Sequence, residues 1–245
     1  MDRLIASAAA LGLSLSGAQL AAFEAYYHAL VTWNEKFNLT TITTFDEVQT
    51  RHLVDSLSVL RIDEVRHALA RPGVSAIDVG AGAGFPGLPL KIAFPTLHLT
   101  LLEATGKKVT FLDHVIKLLG LENTHTIKAR AEELGQDPAH RERYDLAFAR
   151  AVADMAVLAE YTLPFLRPGG WLVAPKGEGA AAEASAAAGA IHTLGGVLRR
   201  VVPAALPDLP STHALVAVEK VSTTPSPYPR RPGVPAKKPL GSPKS

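Results

Sequence analysis

Residues 76–90 read AIDVGAGAGFPGLPL: an apolar run that ends on Asp78, glycines at 80, 82 and 84, and then Phe85-Pro86-Gly87. Without a Cβ, glycine lets backbone N–H groups come close to a ligand. The run VSAIDV (74–79) before the loop has a strand pattern and the residues after it a helical one, so the loop is expected at the carboxyl end of a strand, where doubly wound sheets bind ligands. Further short β-rich runs follow at LHLTLLE (97–103), THTIKA (124–129), YDLAFA (144–149) and GWLVAPK (170–176), alternating with helical stretches. That alternation predicts βαβ units and a mostly parallel twisted sheet. VLRRVVP (197–203) and HALVAVEK (213–220) have only a Pro-rich connection between them, which predicts an antiparallel pair at one sheet edge. The Ala-rich stretch 179–194 reads as helix.

Before the first strand the pattern is helical. Ser16 and Gln19 form a capping-box pair ahead of an apolar face of Leu20, Phe23, Tyr27, Leu30 and Val31, and the helix ends near WNEKFNLTT (33–41). Thr44 with Glu47 opens a second helix through RHLVDSLSVL (51–60). The expected organisation is an N-terminal helical extension over 1–70, an α/β domain over 71–221 and a C-terminal tail over 222–245. A chain of 245 residues with 47% hydrophobic content can bury one sizeable core. It contains no cysteine, hence no disulfide, thiolate ligand or thiol nucleophile, and no metal site is expected. No apolar run approaches the roughly 20 residues that span a bilayer, and MDRLIASAAALGLSLSG is a poor signal peptide. The expectation is a cytoplasmic monomer with no membrane contact.

Read from Gly82, the loop satisfies G-x-G-x-x-G, which by itself suggests a dinucleotide. Asp78 and the prolines at 86 and 89 argue against one, because an acid and proline-interrupted N–H groups suit a pyrophosphate poorly. A carboxylate suits a cation. S-adenosylmethionine carries a sulfonium and an ammonium and no phosphate, so it fits the acid-first loop better than NAD. Glu103 ends the second strand, where a carboxylate can accept both ribose hydroxyls of either cofactor.

The tail sets a second question. Residues 222–245 carry Arg230, Arg231, Lys237, Lys238 and Lys244, seven prolines and no acid. Since the whole chain is +2, the body without those five charges is about −3. A basic, Pro-rich segment reads as an extended arm for a polyanion. The alternative is a tail that folds back over the sheet edge with Tyr228 packed into the body.

DVGAGAGFPGLPLKIAFP, the upstream WNEKFNLT and RHLVDSL, ARAVA (149–153), PKG (175–177) and YPRRPGVPAKKPL together resemble the bacterial small-subunit ribosomal RNA methyltransferase G family, also called glucose-inhibited division protein B. The likeness runs from about residue 20 to the end. It implies a Rossmann-like class I S-adenosylmethionine-dependent methyltransferase that methylates N7 of one guanosine in 16S ribosomal RNA, as naked RNA or in the small ribosomal subunit. Carried over residue by residue, it implies a cofactor site of Gly80, Gly82 and Phe85 in the loop, Glu103-Ala104-Thr105 after the second strand, Ala131-Glu132 after the third and Arg150 after the fourth. Each falls where a strand's carboxyl end is expected.

RNA-contact candidates are Asn38, Arg51, His52 and Lys176 near the cofactor mouth, with Arg230 and Arg231 in the tail. His52, with Asp55 three residues on, invites a base role, yet a structural network on one helix face is the stronger reading. No catalytic base is named, since guanine N7 has an in-plane lone pair and needs no deprotonation. Methylation at pyrimidine C5 usually needs a cysteine, which the chain lacks, and the Asn/Asp-Pro-Pro-aromatic motif of exocyclic-amine methylation is replaced by ARAVADM. A methyltransferase for another RNA or a small molecule, a dehydrogenase of similar fold, and a non-catalytic ribosome-assembly factor are the alternatives.

Overall fold

The computed structural model describes residues 1–207 and 209–241; Pro243 and Lys244 of the tail lie outside them. Helix α1 (Asp2–Ala10) precedes α2 (Gly17–Phe37), which opens with both halves of the Ser16–Gln19 capping box and ends on Asn38 in the left-handed conformation, φ 49°. The face of α2 that enters the core is Phe23, Tyr26, Ala29 and Leu30, so Tyr26 takes the place expected for Tyr27. The helix expected over 51–60 is a composite: α3 (Phe45–Val48), a π-helical stretch over Gln49–Val54, α4 (Asp55–Leu57) and a 3-10 turn over Ser58–Arg61. Thr44 donates its hydroxyl to Glu47 Oε2 at 2.7 Å and leaves the backbone uncapped. Helix α5 (Asp63–Leu69) completes the extension.

The sheet begins at β1 (Ser75–Val79) and continues through α6 (Gly87–Ala93), β2 (His98–Glu103), α7 (Gly106–Leu118), β3 (Thr124–Lys128), α8 (Ala131–Leu134), β4 (Tyr144–Phe148), α9 (Met155–Thr162) and β5 (Leu166–Lys176). Helices α10 (Ala180–Ala186) and α11 (Ala188–Thr193) divide the Ala-rich segment, and β6 (Gly196–Pro203) and β7 (Ala214–Lys220) close the sheet. Strand order is β3-β2-β1-β4-β5-β7-β6. Strands β1 to β5 pair in parallel, and β7 runs antiparallel between β5 and β6, which is the antiparallel edge expected from the sequence. The central strands are buried on both faces, consistent with their continuous apolar runs. One apolar core joins the sheet to α1–α5; the other lies between the sheet and α9–α11.

The tail does not extend from the body, contrary to the arm reading. After β7 it crosses to α8 and α9: Arg141 donates to the carbonyls of Thr224, Pro225 and Tyr228, and Gln136 to those of Ser226 and Pro229. Arg230 forms a two-pronged pair with the fully buried Glu160, at 2.6 Å between Nη2 and Oε2, and adds its backbone N–H to Oε1 at 2.8 Å. Tyr228 and Leu240 pack against the second core, and the segment ends in α12 (Val234–Lys237). The physical reason is acid on the body: the buried Glu160 and Glu132 and the half-buried Glu142 each accept a tail N–H or guanidinium, which outweighs the attraction of an isolated basic arm to solvent.

Candidate active site at the carboxyl ends of the parallel strands

Because β1 to β5 are parallel, their carboxyl ends share one sheet edge, and the singled-out residues arrive there together. The loop after β1 is fixed by its own backbone and by two carboxylates. Gly80 N–H and Ala81 N–H both donate to Leu102 carbonyl, at 2.8 and 3.0 Å. Gly80 has φ +71°, and a Cβ there would stand 2.9 Å from Val152 Cγ2. Glu103 accepts from Gly82 N–H through Oε2 at 3.0 Å and from Thr105 N–H through Oε1 at 2.8 Å. Its carboxylate therefore ties the β1 loop to the β2 turn, and it is nearly buried while Ala104 and Thr105 beside it are exposed.

Asp78 is not a cation-facing acid at the loop surface. It is completely buried beneath the loop, where Oδ2 accepts from Gly87 N–H at 2.8 Å and Oδ1 has no partner. Burial pushes its pKa up to about 7, against the opposing pull of the Gly87 hydrogen bond and of Arg150. The first N–H of α6 is thus consumed by an internal carboxylate. A pyrophosphate at that helix end would lie against this acid, which is a physical argument against a dinucleotide.

The N-terminal extension closes over the loop. Tyr26 donates its hydroxyl to Ala83 carbonyl, and its ring lies 5.4 Å from that of Phe85. The Phe85 ring stacks on His52 at 4.3 Å, and the Arg150 guanidinium sits 5.0 Å from its centre. Arg150 donates to Asp55 Oδ2 at 2.9 Å and to Arg51 carbonyl at 3.0 Å, with its second nitrogen 3.1 Å from His52 Nδ1. Nδ1 also lies 3.0 Å from the Arg51 carbonyl and so stands between a donor and an acceptor, while Nε2 faces Thr40 Oγ1 at 2.9 Å. Burial and the neighbouring Arg150 lower the His52 pKa to about 4. Burial opposes ionisation of Asp55, but His213 and Arg150 outweigh it and hold the pKa below the usual carboxylate range. Asp55 does not orient His52 directly, as the i, i+3 spacing suggests; Arg150 stands between them and His213 Nδ1 takes the other oxygen at 3.3 Å.

These groups line a cleft of about 360 Å³ bounded by Ile42, Arg51, His52, Arg150, Lys176 and His213. Lys176 donates to Ala153 carbonyl and to Glu183, both at 2.7 Å. Arg51 is exposed and loosely paired with Glu47 at 3.5 Å. Asn38 is exposed at the end of α2, while Asn34 Oδ1 accepts from Thr40 N–H at 2.8 Å. Glu132, after β3, is buried, with Oε1 accepting from Gly233 N–H at 2.9 Å. Arg230 is held by Glu160, away from the cleft, and Arg231 is exposed. Among the described residues no cluster of His, Asp or Glu could hold a metal ion, and no helix is long and apolar enough to cross a membrane.

The loop, the carboxylate after β2 and the basic cleft after β4 coincide with a family model: residues 19–208 match that of rRNA small subunit methyltransferase G. The chain belongs to this family. It is accordingly an enzyme that methylates small-subunit ribosomal RNA, with S-adenosylmethionine as methyl donor. The ribosomal RNA small subunit methyltransferase G of Dehalococcoides mccartyi is 47% identical over 98% of this chain and 100% of its own length. That of Chloroflexus aggregans is 46% identical over 97% of each chain. Among solved structures, a mutant of MtNAS in complex with S-adenosylmethionine matches 79% of this chain and 72% of its own with a TM-score of 0.53 at 16% identity. TrmN from Thermus thermophilus matches 71% and 53% with a TM-score of 0.51 at 19% identity. Both likenesses concern the fold.

Two residues of the site were not anticipated from the sequence. Tyr26 stands at i+3 from Phe23 and i−4 from Leu30, so a helical spacing through it was available. His213 had no local signal, since only the pairing of β7 with β5 brings it beside Asp55.

Proposed function

We propose that this methyltransferase modifies N7 of a guanosine in 16S ribosomal RNA, with the cofactor held by the β1 loop and by the turns after β2 and β3, and the base received by the cleft beside Arg150. The cofactor residues are Gly80, Gly82, Phe85, Glu103, Ala104, Thr105, Ala131, Glu132 and Arg150. The fit rests on chemistry already present: a preformed carboxylate at Glu103 that joins the β1 loop to the exposed Ala104-Thr105 turn, a loop whose glycine admits no Cβ at position 80, and a helix start closed to phosphate by Asp78. When bound, S-adenosylmethionine supplies an electrophilic methyl on a sulfonium.

Guanine N7 offers its lone pair in the ring plane, so no side chain has to remove a proton and the protein's contribution is alignment and electrostatics. His52, neutral at pH 7 and bonded on both nitrogens, positions Arg150 and Phe85 instead of shuttling protons. Asp55 fixes Arg150 from the other side. Ile42 and Pro175 give the cleft apolar walls, and the exposed Arg51 places positive charge at its rim for phosphate or base oxygens, while Lys176 is paired with Glu183. The observation that carries this reading is that cleft, which touches the cofactor loop through Phe85. It is tested by treating 16S RNA modified in vitro with borohydride and aniline, which cleave at 7-methylguanosine. A single strand break is expected, and labelled RNA that resists cleavage contradicts the N7 assignment.

A further inference from the structure

The tail reaches the cofactor side of the molecule at one atom. Glu132 follows β3, where the site proposed above holds cofactor, but its carboxylate is turned into the protein: Oε1 takes Gly233 N–H at 2.9 Å, and the Tyr161 hydroxyl of α9 also bonds it. Gly233 has φ +79°, a left-handed turn that leads into α12. Three residues earlier Arg230 grips Glu160 on α9, and Gln136, just past α8, and Arg141, shortly before β4, hold the backbone from Thr224 to Pro229. The ring of Pro229 lies directly on Gly135, where a Cβ would meet its Cγ at 2.8 Å. The segment therefore clamps both ends of the short α8 element, Glu132 at its start and Gly135 behind it.

A four-residue helix has little stability of its own. Without the tail, Glu132 would keep only Tyr161 as partner for a nearly buried carboxylate, and α8 would have no cover on that side. We propose that residues 224–234 are a clasp for the cofactor site: by anchoring through Arg230 and presenting Gly233 N–H to Glu132, they hold the β3–α8 turn in the shape that binds S-adenosylmethionine. This rests on the placement of the cofactor against Ala131 and Glu132 given above. The clasp makes Arg230 and Gly233 positioning residues for cofactor binding and not contacts for RNA.

The test compares Arg230→Ala, Arg230→Lys and Ala131→Trp by calorimetric titration with S-adenosylmethionine well below each melting temperature, together with the affinity of each protein for 16S RNA. The expected result is that Arg230→Ala raises the cofactor Kd roughly tenfold, the weight of one lost charge-assisted contact, with its RNA affinity unchanged. Arg230→Lys recovers part of the loss, since an ammonium replaces the charge but not the two-pronged geometry. Ala131→Trp should abolish cofactor binding by filling the turn. If Ala131→Trp binds normally, the cofactor placement is wrong. If Ala131→Trp fails to bind but Arg230→Ala binds as tightly as the wild type, the clasp is overturned and the tail is only structural. A loss of RNA affinity with an unchanged cofactor Kd would return Arg230 to the role of an RNA arm.

Discussion

Asp78 and His52 are two buried groups, a few residues' reach from Arg150, whose protonation moves in opposite senses. The Asp78 pKa rises from 3.8 to about 7, so its contribution to stability is full below about pH 4 and is lost as pH rises through 7. The His52 pKa falls from 6.5 to about 4, so its contribution is full above about pH 6.5 and is lost as pH falls toward 4. Between those limits the two slopes oppose each other in the wild-type protein. Asp78→Asn keeps an oxygen for Gly87 N–H and removes one slope, so the variant gains stability relative to wild type as pH rises from about 4 to 7, by at most about 1.4 kcal/mol per pH unit. Denaturant melts across that range check it, and a stability difference that stays flat with pH shows that Asp78 is ionised throughout.

The seven strands, their order of appearance and the antiparallel edge were legible because each is a short run rich in β-formers and bounded by turn residues, a purely local signal. So were the positions of Gly80 and Gly82 in the loop after β1 and of Glu103 at the end of β2, since a glycine-rich loop marks the change from strand to helix and an acid closes an apolar run. The Arg150–Asp55–His213 contacts were not, because they join residues 95 and more apart in sequence through the sheet order. Nor was the composite character of the 45–61 helix, whose π-helical stretch turns His52 toward Phe85 while Asp55 faces Arg150. The tail misled for a definite reason: its composition is that of a solvated arm, and the acids that capture it lie at 132, 142 and 160. Truncation after Lys220 should therefore lower the melting temperature. It strips the Thr224 hydroxyl from the buried Lys220 ammonium and leaves Glu160 buried without its partner, a loss on the order of 3 kcal/mol. A truncated protein that melts with the full chain contradicts this.

The molecule as a whole is a sheet whose open edge is capped from two sides. On one face α2 and the 45–61 segment press Tyr26 and His52 onto the loop after β1. On the other the tail braces α8 and α9. What stays accessible between them is the edge with Ala104, Thr105 and the basic cleft, and the buried Phe85 and the half-buried Arg150 lie in contact beneath it. The most direct measurement is transfer of a labelled methyl group from S-adenosylmethionine to 16S ribosomal RNA by the wild-type protein, Glu103→Ala and Arg150→Ala. The wild type should label guanosine at N7. On the proposed cofactor placement, Glu103→Ala should need far more cofactor to do so, since it loses the acceptor that binds Gly82 and Thr105, and Arg150→Ala should lose most of its label at any cofactor concentration. Full labelling by both variants, or a wild type that labels another base, would contradict the account.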